Sequence, residues 1–135
     1  MTMRRGLLTG LAIVIVLSGI LFIATIAIFR SYDDLGGSSP LRFMVDGEIR
    51  GLPLPDPASR IRFRAEPADG TKPQLDGASI QGGDPDKTIA AIRAYLSRRG
   101  YTEQEGGALF VKPRIEVRLT RTDSGAVTVT KYSWR

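Results

Sequence analysis

The sequence predicts an α+β fold, in which one N-terminal transmembrane helix precedes a small antiparallel sheet domain with one amphipathic helix packed on it. Three observations lead to this prediction. Residues Leu7–Phe29 carry no charge, Asp84–Gly100 has the start, period and stop of a helix, and the other apolar segments alternate as strands do. The chain has 135 residues, so about 105 follow the apolar run, enough for one small core.

The uncharged run Leu7–Phe29 is long enough to cross a bilayer. As a helix its 23 residues would span about 34 Å, against about 30 Å for the hydrocarbon core. A cleaved secretory signal is the alternative, but its apolar core has only about 7–15 residues. We therefore expect an uncleaved, single-pass signal-anchor, with residues 1–6 as an N-terminal tail.

The charges that flank this run predict which way it crosses the membrane. Arg4 and Arg5 precede the run, whereas Arg30 is followed by Asp33 and Asp34. Positive residues favour the cytoplasmic side. The N-terminus is therefore expected in the cytoplasm and the domain outside it.

Two glycines near the start of the run are candidate helix-packing residues. Gly6 and Gly10 have the GxxxG spacing at which transmembrane helices approach closely. Chance explains the spacing as well, because glycine is common in such helices.

The composition excludes several kinds of chemistry. Three of the 19 basic residues flank the apolar run, so 16 remain against 14 acidic residues in the domain. That balance is weak for nucleic-acid binding, which needs a basic stripe. The chain has no Cys and no His, which excludes disulfides, thiolate nucleophiles and histidine-based catalysis. The lack of Asn and the excess of Arg over Lys indicate a bacterial genome of high GC content.

The first part of the domain is predicted from short local patterns. Residues 31–40 are rich in Gly and Ser and predict a flexible linker, so the domain begins at residue 41. Leu41–Val45 alternates and precedes Asp46-Gly47, a two-residue hairpin signal. Further strands are predicted at Arg60–Ala65 and Ala78–Gln81, the second within a loop over residues 66–83.

The clearest element is a helix between Asp84 and Gly100. Asp84 is a favourable N-cap, Pro85 fits the first turn, and Gly100 ends the helix. Its apolar residues recur on one face, at Ile89, Ile92 and Leu96.

Four strands are predicted after this helix: Tyr101–Gln104, Ala108–Lys112, Ile115–Thr120 and Val127–Trp134. The last two form a hairpin around a three-residue loop at Asp123-Ser124-Gly125. This register pairs Leu119 with Val129 and Glu116 with Tyr132, and it puts the valines and leucine on one face. A two- or four-residue loop would instead move Tyr132 to that face.

The opposite face of this hairpin is a candidate partner-binding patch. It carries Arg114, Arg118, Tyr132 and Trp134, and arginine beside aromatic residues is typical of protein interfaces. The alternative is a sheet covered on both sides, in which Trp134 is buried.

A second candidate surface is the row Arg60, Arg62 and Arg64, on one side of a strand. The row suits an anionic ligand such as phosphate, an anionic lipid or an acidic polymer. A solvated face or a charged edge that prevents aggregation is the alternative, and the commoner use of such rows.

No catalytic, metal or cofactor motif occurs in the sequence. There is no GxSxG and no phosphate-binding glycine motif. The acidic residues within Gly82–Asp86 lack the spacing of a calcium loop. Enzymatic activity, a metal and a cofactor are therefore not expected.

Three functions remain open. The first is a non-enzymatic accessory or assembly protein of the bacterial cell envelope, anchored in the cytoplasmic membrane and acting by protein–protein contact from its extracytoplasmic domain. The second is a membrane-tethered module that binds a ligand or an anionic polymer. The third is a small structural subunit of a membrane protein complex, packed through its transmembrane helix.

Overall fold

The computed structural model describes residues 2–29 and 32–134, and the chain divides into two compact units, residues 1–30 and 31–135. The first unit is one helix, α1 (Thr2–Phe29). Within it, Leu8–Ile26 is long and apolar enough to cross a membrane, a test of length and composition that a signal sequence would also pass. The Thr25 hydroxyl donates to the Leu21 carbonyl oxygen at 2.8 Å, which satisfies the hydroxyl within its own helix.

The second unit contains a seven-stranded antiparallel sheet, which confirms the predicted α+β class. The strands are β1 (Tyr32–Gly36), β2 (Arg60–Glu66), β3 (Gln74–Gln81), β4 (Thr102–Gln104), β5 (Leu109–Lys112), β6 (Ile115–Arg121) and β7 (Val127–Ser133). Their order across the sheet is β1-β2-β3-β7-β6-β5-β4, so β7 lies at the centre. The helical elements are the 3-10 helix η1 (Pro40–Met44), α2 (Gly47–Arg50), α3 (Pro85–Arg98) and the 3-10 helix η2 (Glu105–Gly107).

Helix α3 packs on one face of the sheet, as the sequence predicted. Its residues Ile92 and Leu96 are buried in the same core as Phe63, Phe110 and Val129 of the sheet. Other members of this core are Val45, Ile49, Leu52, Ile80, Val117, Leu119 and Val127. Residues from the segment before β2 therefore complete the core on the same face.

The start and end of α3 follow the predicted signals. The Asp84 carboxylate accepts hydrogen bonds from the backbone N–H groups of Asp86 and Lys87, at 2.9 and 3.4 Å, and Pro85 lies in the first turn. Beyond the other end, Gly100 has a φ of +81°, a left-handed conformation that glycine adopts without strain. The prediction of this helix is confirmed.

The predicted register of the last hairpin is also confirmed. Leu119 lies opposite Val129, and the Thr122 N–H donates to the Ala126 carbonyl oxygen at 2.9 Å. The loop closes at Gly125, whose φ is +82°, as a three-residue loop with a left-handed glycine requires. The predicted strands of the second half of the domain begin and end within one residue of those observed.

The hairpin predicted around Asp46-Gly47 is wrong. The residues before it form η1, which begins at Pro40, and those after it form α2. The Asp46 side chain accepts a hydrogen bond from the Glu48 N–H at 2.9 Å, so it caps a helix instead of turning between strands. An aspartate before a glycine suits both uses, and the local pattern does not separate them.

Residues 31–40, predicted as a flexible linker, contain β1 and the start of η1. Leu35 of β1 lies opposite Phe63 and is buried in the core. Because this one apolar side chain packs in the core, a stretch rich in Gly and Ser pairs with β2 as the edge strand of the sheet. The strand predicted at residues 78–81 is likewise longer and begins at Gln74, because β3 pairs along its length with β2 on one side and β7 on the other.

Candidate functional site

The face of the sheet opposite the core carries the arginine row and two residues of the hairpin patch, Arg118 and Tyr132. We call it the open face and define it by outward side chains of four adjacent strands: Arg60, Arg62, Arg64, Leu75, Gly77, Ser79, Thr128, Thr130, Tyr132, Glu116, Arg118 and Thr120. One row across it runs Arg64, Gly77, Thr130 and Arg118. Three strand spacings, about 14 Å, separate the two arginines of this row. One partner can therefore contact the arginine row and the hairpin patch together.

A groove of about 560 Å³ lies on the open face. Its polar lining consists of Arg62, Arg64, Ser79, Gln81, Thr128 and Thr130, and none of its ten lining residues is acidic. Gly77 also lines it, and a Cβ at that position would lie 3.3 Å from the Val129 carbonyl oxygen. Guanidinium, hydroxyl and amide groups donate hydrogen bonds to anionic oxygens. The groove is therefore suited to an anionic group.

The row Arg60, Arg62 and Arg64 is exposed along its whole length. Arg64 forms an ion pair with Glu66 of the same strand. The row therefore lines one exposed side of β2 with three guanidinium groups.

The predicted hairpin patch is spread over the open face and the neighbouring turn. Arg118 lies on the open face, and its guanidinium is 3.8 Å from the Glu116 carboxylate. Arg114 lies in the turn between β5 and β6, where its carbonyl oxygen accepts a hydrogen bond from the Trp134 N–H at 2.9 Å. The Trp134 ring is centred 6.2 Å from that of Tyr132. Trp134 is 41% exposed, so the alternative of a buried tryptophan is wrong, and partner binding stays a prediction.

The candidate helix-packing residues Gly6 and Gly10 both lie in α1. In the described part of the chain, nothing lies within 4 Å of a Cβ placed at either position. Close packing of this surface against another helix stays a prediction.

A cluster of charged and polar side chains that the sequence did not predict lies partly buried on the face covered by α3. Lys131 donates hydrogen bonds to Asp46 Oδ1 and to Glu48 Oε2, both at 2.9 Å. The Tyr101 hydroxyl donates to the same glutamate oxygen at 2.5 Å, and Asp76 accepts the Asp46 N–H at 2.9 Å. These five residues, which we call the charged cluster, join β3 and β7 to the segment that contains α2.

Burial and hydrogen bonding shift the pKa values of the charged cluster. Burial raises the pKa of Asp76. It also raises the pKa of Tyr101, and the hydrogen bond to Glu48 raises that pKa further. Burial alone would lower the pKa of Lys131, but its hydrogen bonds to Asp46 and Glu48 outweigh burial and raise it. Burial opposes ionisation of Glu48 too, yet the hydrogen bonds from Tyr101 and Lys131 prevail and lower its pKa.

The charged cluster serves the fold. Asp76 is 1% exposed and Lys131 is 5% exposed, so a substrate has no access to either. Among the described residues, every buried side-chain nitrogen and oxygen has a hydrogen-bond partner. One signal in the sequence could have revealed the cluster: with a period of two, Lys131 follows Val127 and Val129 on the apolar face, where a charge requires a buried partner.

No group of three or more acidic side chains is placed to hold a metal ion in the part of the chain that the structure describes. Comparisons of the chain with models of protein families, with curated proteins and with solved structures found no match. The open face and the composition of α1 are therefore the features of the described chain that indicate a function.

Proposed function

We propose that this chain is a membrane-anchored, non-enzymatic accessory protein of the bacterial cell envelope, which binds an acidic partner protein through its open face. Helix α1 anchors it in the cytoplasmic membrane with the N-terminus inside, and the domain is extracytoplasmic. The observation that supports this function best is the row from Arg64 to Arg118, which puts the arginine row and part of the hairpin patch on one face.

The charge of the open face supports an acidic partner. Among the side chains that the structure describes, the four arginines of this face, on β2 and β6, outnumber the two glutamates beside them, Glu66 and Glu116. A positive face steers an acidic surface in the encounter and fixes its orientation. Strand β7 lies between β3 and β6, so Thr128, Thr130 and Tyr132 lie between the arginine row of β2 and Arg118. They supply hydrogen-bond donors and an aromatic contact.

The anchor supports a partner in the same membrane. Leu8–Ile26 has the length and composition of a membrane span, and tethering raises the effective concentration of the domain for anything held nearby. A reporter that is active only outside the cytoplasm should be active when fused after the domain. Activity of a cytoplasm-only reporter at that position would contradict the proposed topology.

Site-specific photocrosslinking in cells tests the partner. A photoreactive residue replacing Thr128, in the middle of the open face, should give an adduct with one identified acidic protein. The matched control replaces Ala94, which is exposed on α3 and should not give that adduct.

Charge reversal then connects the adduct with the arginines. Arg64→Glu together with Arg118→Glu should abolish it, whereas Arg98→Glu, an exposed arginine in the last turn of α3, should leave it intact. An adduct that forms equally from both crosslinker positions, or that survives reversal on the open face, would refute the proposal.

The groove favours a second function, the binding of an anionic polymer of the envelope. Its lining of donors without a carboxylate suits repeated anionic groups along a chain. Titration of the detergent-solubilised protein with polyphosphate separates the two functions. Saturable binding that Arg62→Ala abolishes, without a protein adduct in cells, would favour the polymer.

A further inference from the structure

Three exposed apolar side chains lie close together in the sequence after α1. In the described part of the domain, four large apolar side chains are exposed: Leu41, Phe43, Leu54 and Trp134. The first three, which we call the apolar patch, fall within residues 41–54, and Phe43 is the most exposed at 63%. The helix η1, which carries two of them, has no buried residue. These side chains therefore do not contribute to the core as their neighbours do.

Two arginines border the apolar patch. Arg42 lies between its first two members in the sequence, and Arg42 and Arg50 line the same pocket as Leu54. The acidic residues of this segment, Asp46 and Glu48, are instead paired with the buried lysine of the charged cluster. The patch therefore presents apolar groups together with positive charge.

The apolar patch follows α1 closely along the chain. Pro40, the first residue of η1, is eleven residues after Phe29, the last of α1. Even a fully extended chain of that length spans at most about 40 Å. A bilayer that holds α1 would therefore be within reach of the patch.

We propose that the apolar patch inserts into the headgroup region of the membrane that holds α1, where Arg42 and Arg50 contact the phosphates of anionic lipids. Segments that bind at a membrane interface combine apolar side chains, which enter the boundary with the acyl chains, and basic ones, which contact the headgroups. The inference rests on the proposed anchoring by α1. It adds a second contact with the bilayer, which would restrict rotation of the domain about its tether.

Tryptophan fluorescence of the full-length chain in vesicles tests the insertion. Trp134 is the single tryptophan of the chain, so Phe43→Trp combined with Trp134→Phe gives one indole in the patch. The matched control combines Thr120→Trp with Trp134→Phe, because Thr120 is exposed on the open face. Both variants are reconstituted in phosphatidylcholine vesicles with about a third phosphatidylglycerol, and near-native circular dichroism verifies their folds.

Brominated lipids should quench the indole at position 43 strongly, shift its emission to shorter wavelength, and leave it poorly accessible to acrylamide. The indole at position 120 should behave in the opposite way. Quenching at position 43 should weaken in vesicles of phosphatidylcholine alone, because the two arginines lose their anionic contacts. Equal quenching at both positions would overturn the inference, and a partner protein would then be the better occupant of the patch.

Alkaline carbonate extraction separates failure of the anchor from failure of the patch. If carbonate removes the chain from the vesicles, the proposed anchor and the inference that rests on it both fail. If the chain is retained but the indole at position 43 remains accessible to water, only the inference fails.

Discussion

Replacing Lys131 with methionine should destabilise the domain through the carboxylates left behind. The Lys131 side chain is 6% exposed, and its amino group donates to Asp46 and Glu48 at 2.9 Å. Removing one partner of a buried ion pair costs about 3–5 kcal/mol. The side chains of Asp46 and Glu48 are 32% and 22% exposed, so water recovers part of their solvation. We therefore expect a loss at the lower end, about 3 kcal/mol in the free energy of unfolding.

Urea denaturation of the full-length chain in detergent, followed by Trp134 fluorescence, measures this loss. The same loss of free energy corresponds to a decrease of at least about 10 °C in the melting temperature of a domain of about 100 residues. Lys87→Met is the matched control, because Lys87 is exposed on α3, and it should change the free energy of unfolding by less than about 0.5 kcal/mol.

A double-mutant cycle shows whether the loss comes from the ion pair. Glu48→Gln removes one of the two carboxylates that Lys131 binds, so Lys131→Met with Glu48→Gln should be less destabilising than the sum of the single changes. We expect a coupling of about 1–2 kcal/mol, within the range of residues in direct contact. Additive effects, or a Lys131→Met variant as stable as Lys87→Met, would refute the reasoning.

Three further predictions follow from the fold. The contribution of Lys131 and Tyr101 to the free energy of unfolding should be constant from about pH 7 to pH 9 and should fall above about pH 10. In the folded state the pKa values of both groups are raised above their ordinary 10.5 and 10.0, so the folded state binds their protons more tightly than the unfolded state does. Urea titrations across this pH range measure the slope of the free energy of unfolding against pH. Tyr101→Phe should make that slope smaller above about pH 10. Ile92→Ala should lower the free energy of unfolding by about 2–5 kcal/mol in calorimetric or urea experiments, since Ile92 is fully buried. Ile89→Ala should lower it by less, because Ile89 is only partly buried. Equal losses for the two variants would contradict the packing of α3. Asp84→Ala should cost about 1 kcal/mol in the same assays by removing the N-cap of α3, and an unchanged stability would show that the cap is dispensable.

The elements that the sequence predicted correctly have local signals. Helix α3 begins after the N-cap Asp84 and ends before Gly100, which has a left-handed conformation. The three-residue loop that ends at Gly125 determines the register of the last hairpin. Each signal acts over a few residues, so it can be interpreted without knowledge of the rest of the fold. The prediction of strand β2 depends on a local signal too, the alternation over the six residues Arg60–Ala65, and the observed strand extends one residue further.

The features that the sequence missed depend on contacts between distant residues. Leu35 forms part of a strand because its segment pairs with the edge of β2, where Leu35 lies opposite Phe63. Asp46 caps a helix and also accepts a hydrogen bond from Lys131, which is 85 residues away in the sequence. The open face is another example. The sequence alone indicates two separate surfaces, the arginine row of β2 and the patch with Arg118 of β6, because only the insertion of β3 and β7 between them places them on one face.

The central position of β7 has a consequence for how the domain is made. Among the described strands, β7 alone joins two three-stranded halves, one formed by β1, β2 and β3 and the other by β4, β5 and β6. A chain is synthesised from its N-terminus, so both halves exist before β7 emerges, and the edges of β3 and β6 that face β7 remain unpaired until then. Closure of the sheet is therefore a late event in biosynthesis. A nascent chain arrested before residue 127 would present two bare strand edges, each a template for aggregation.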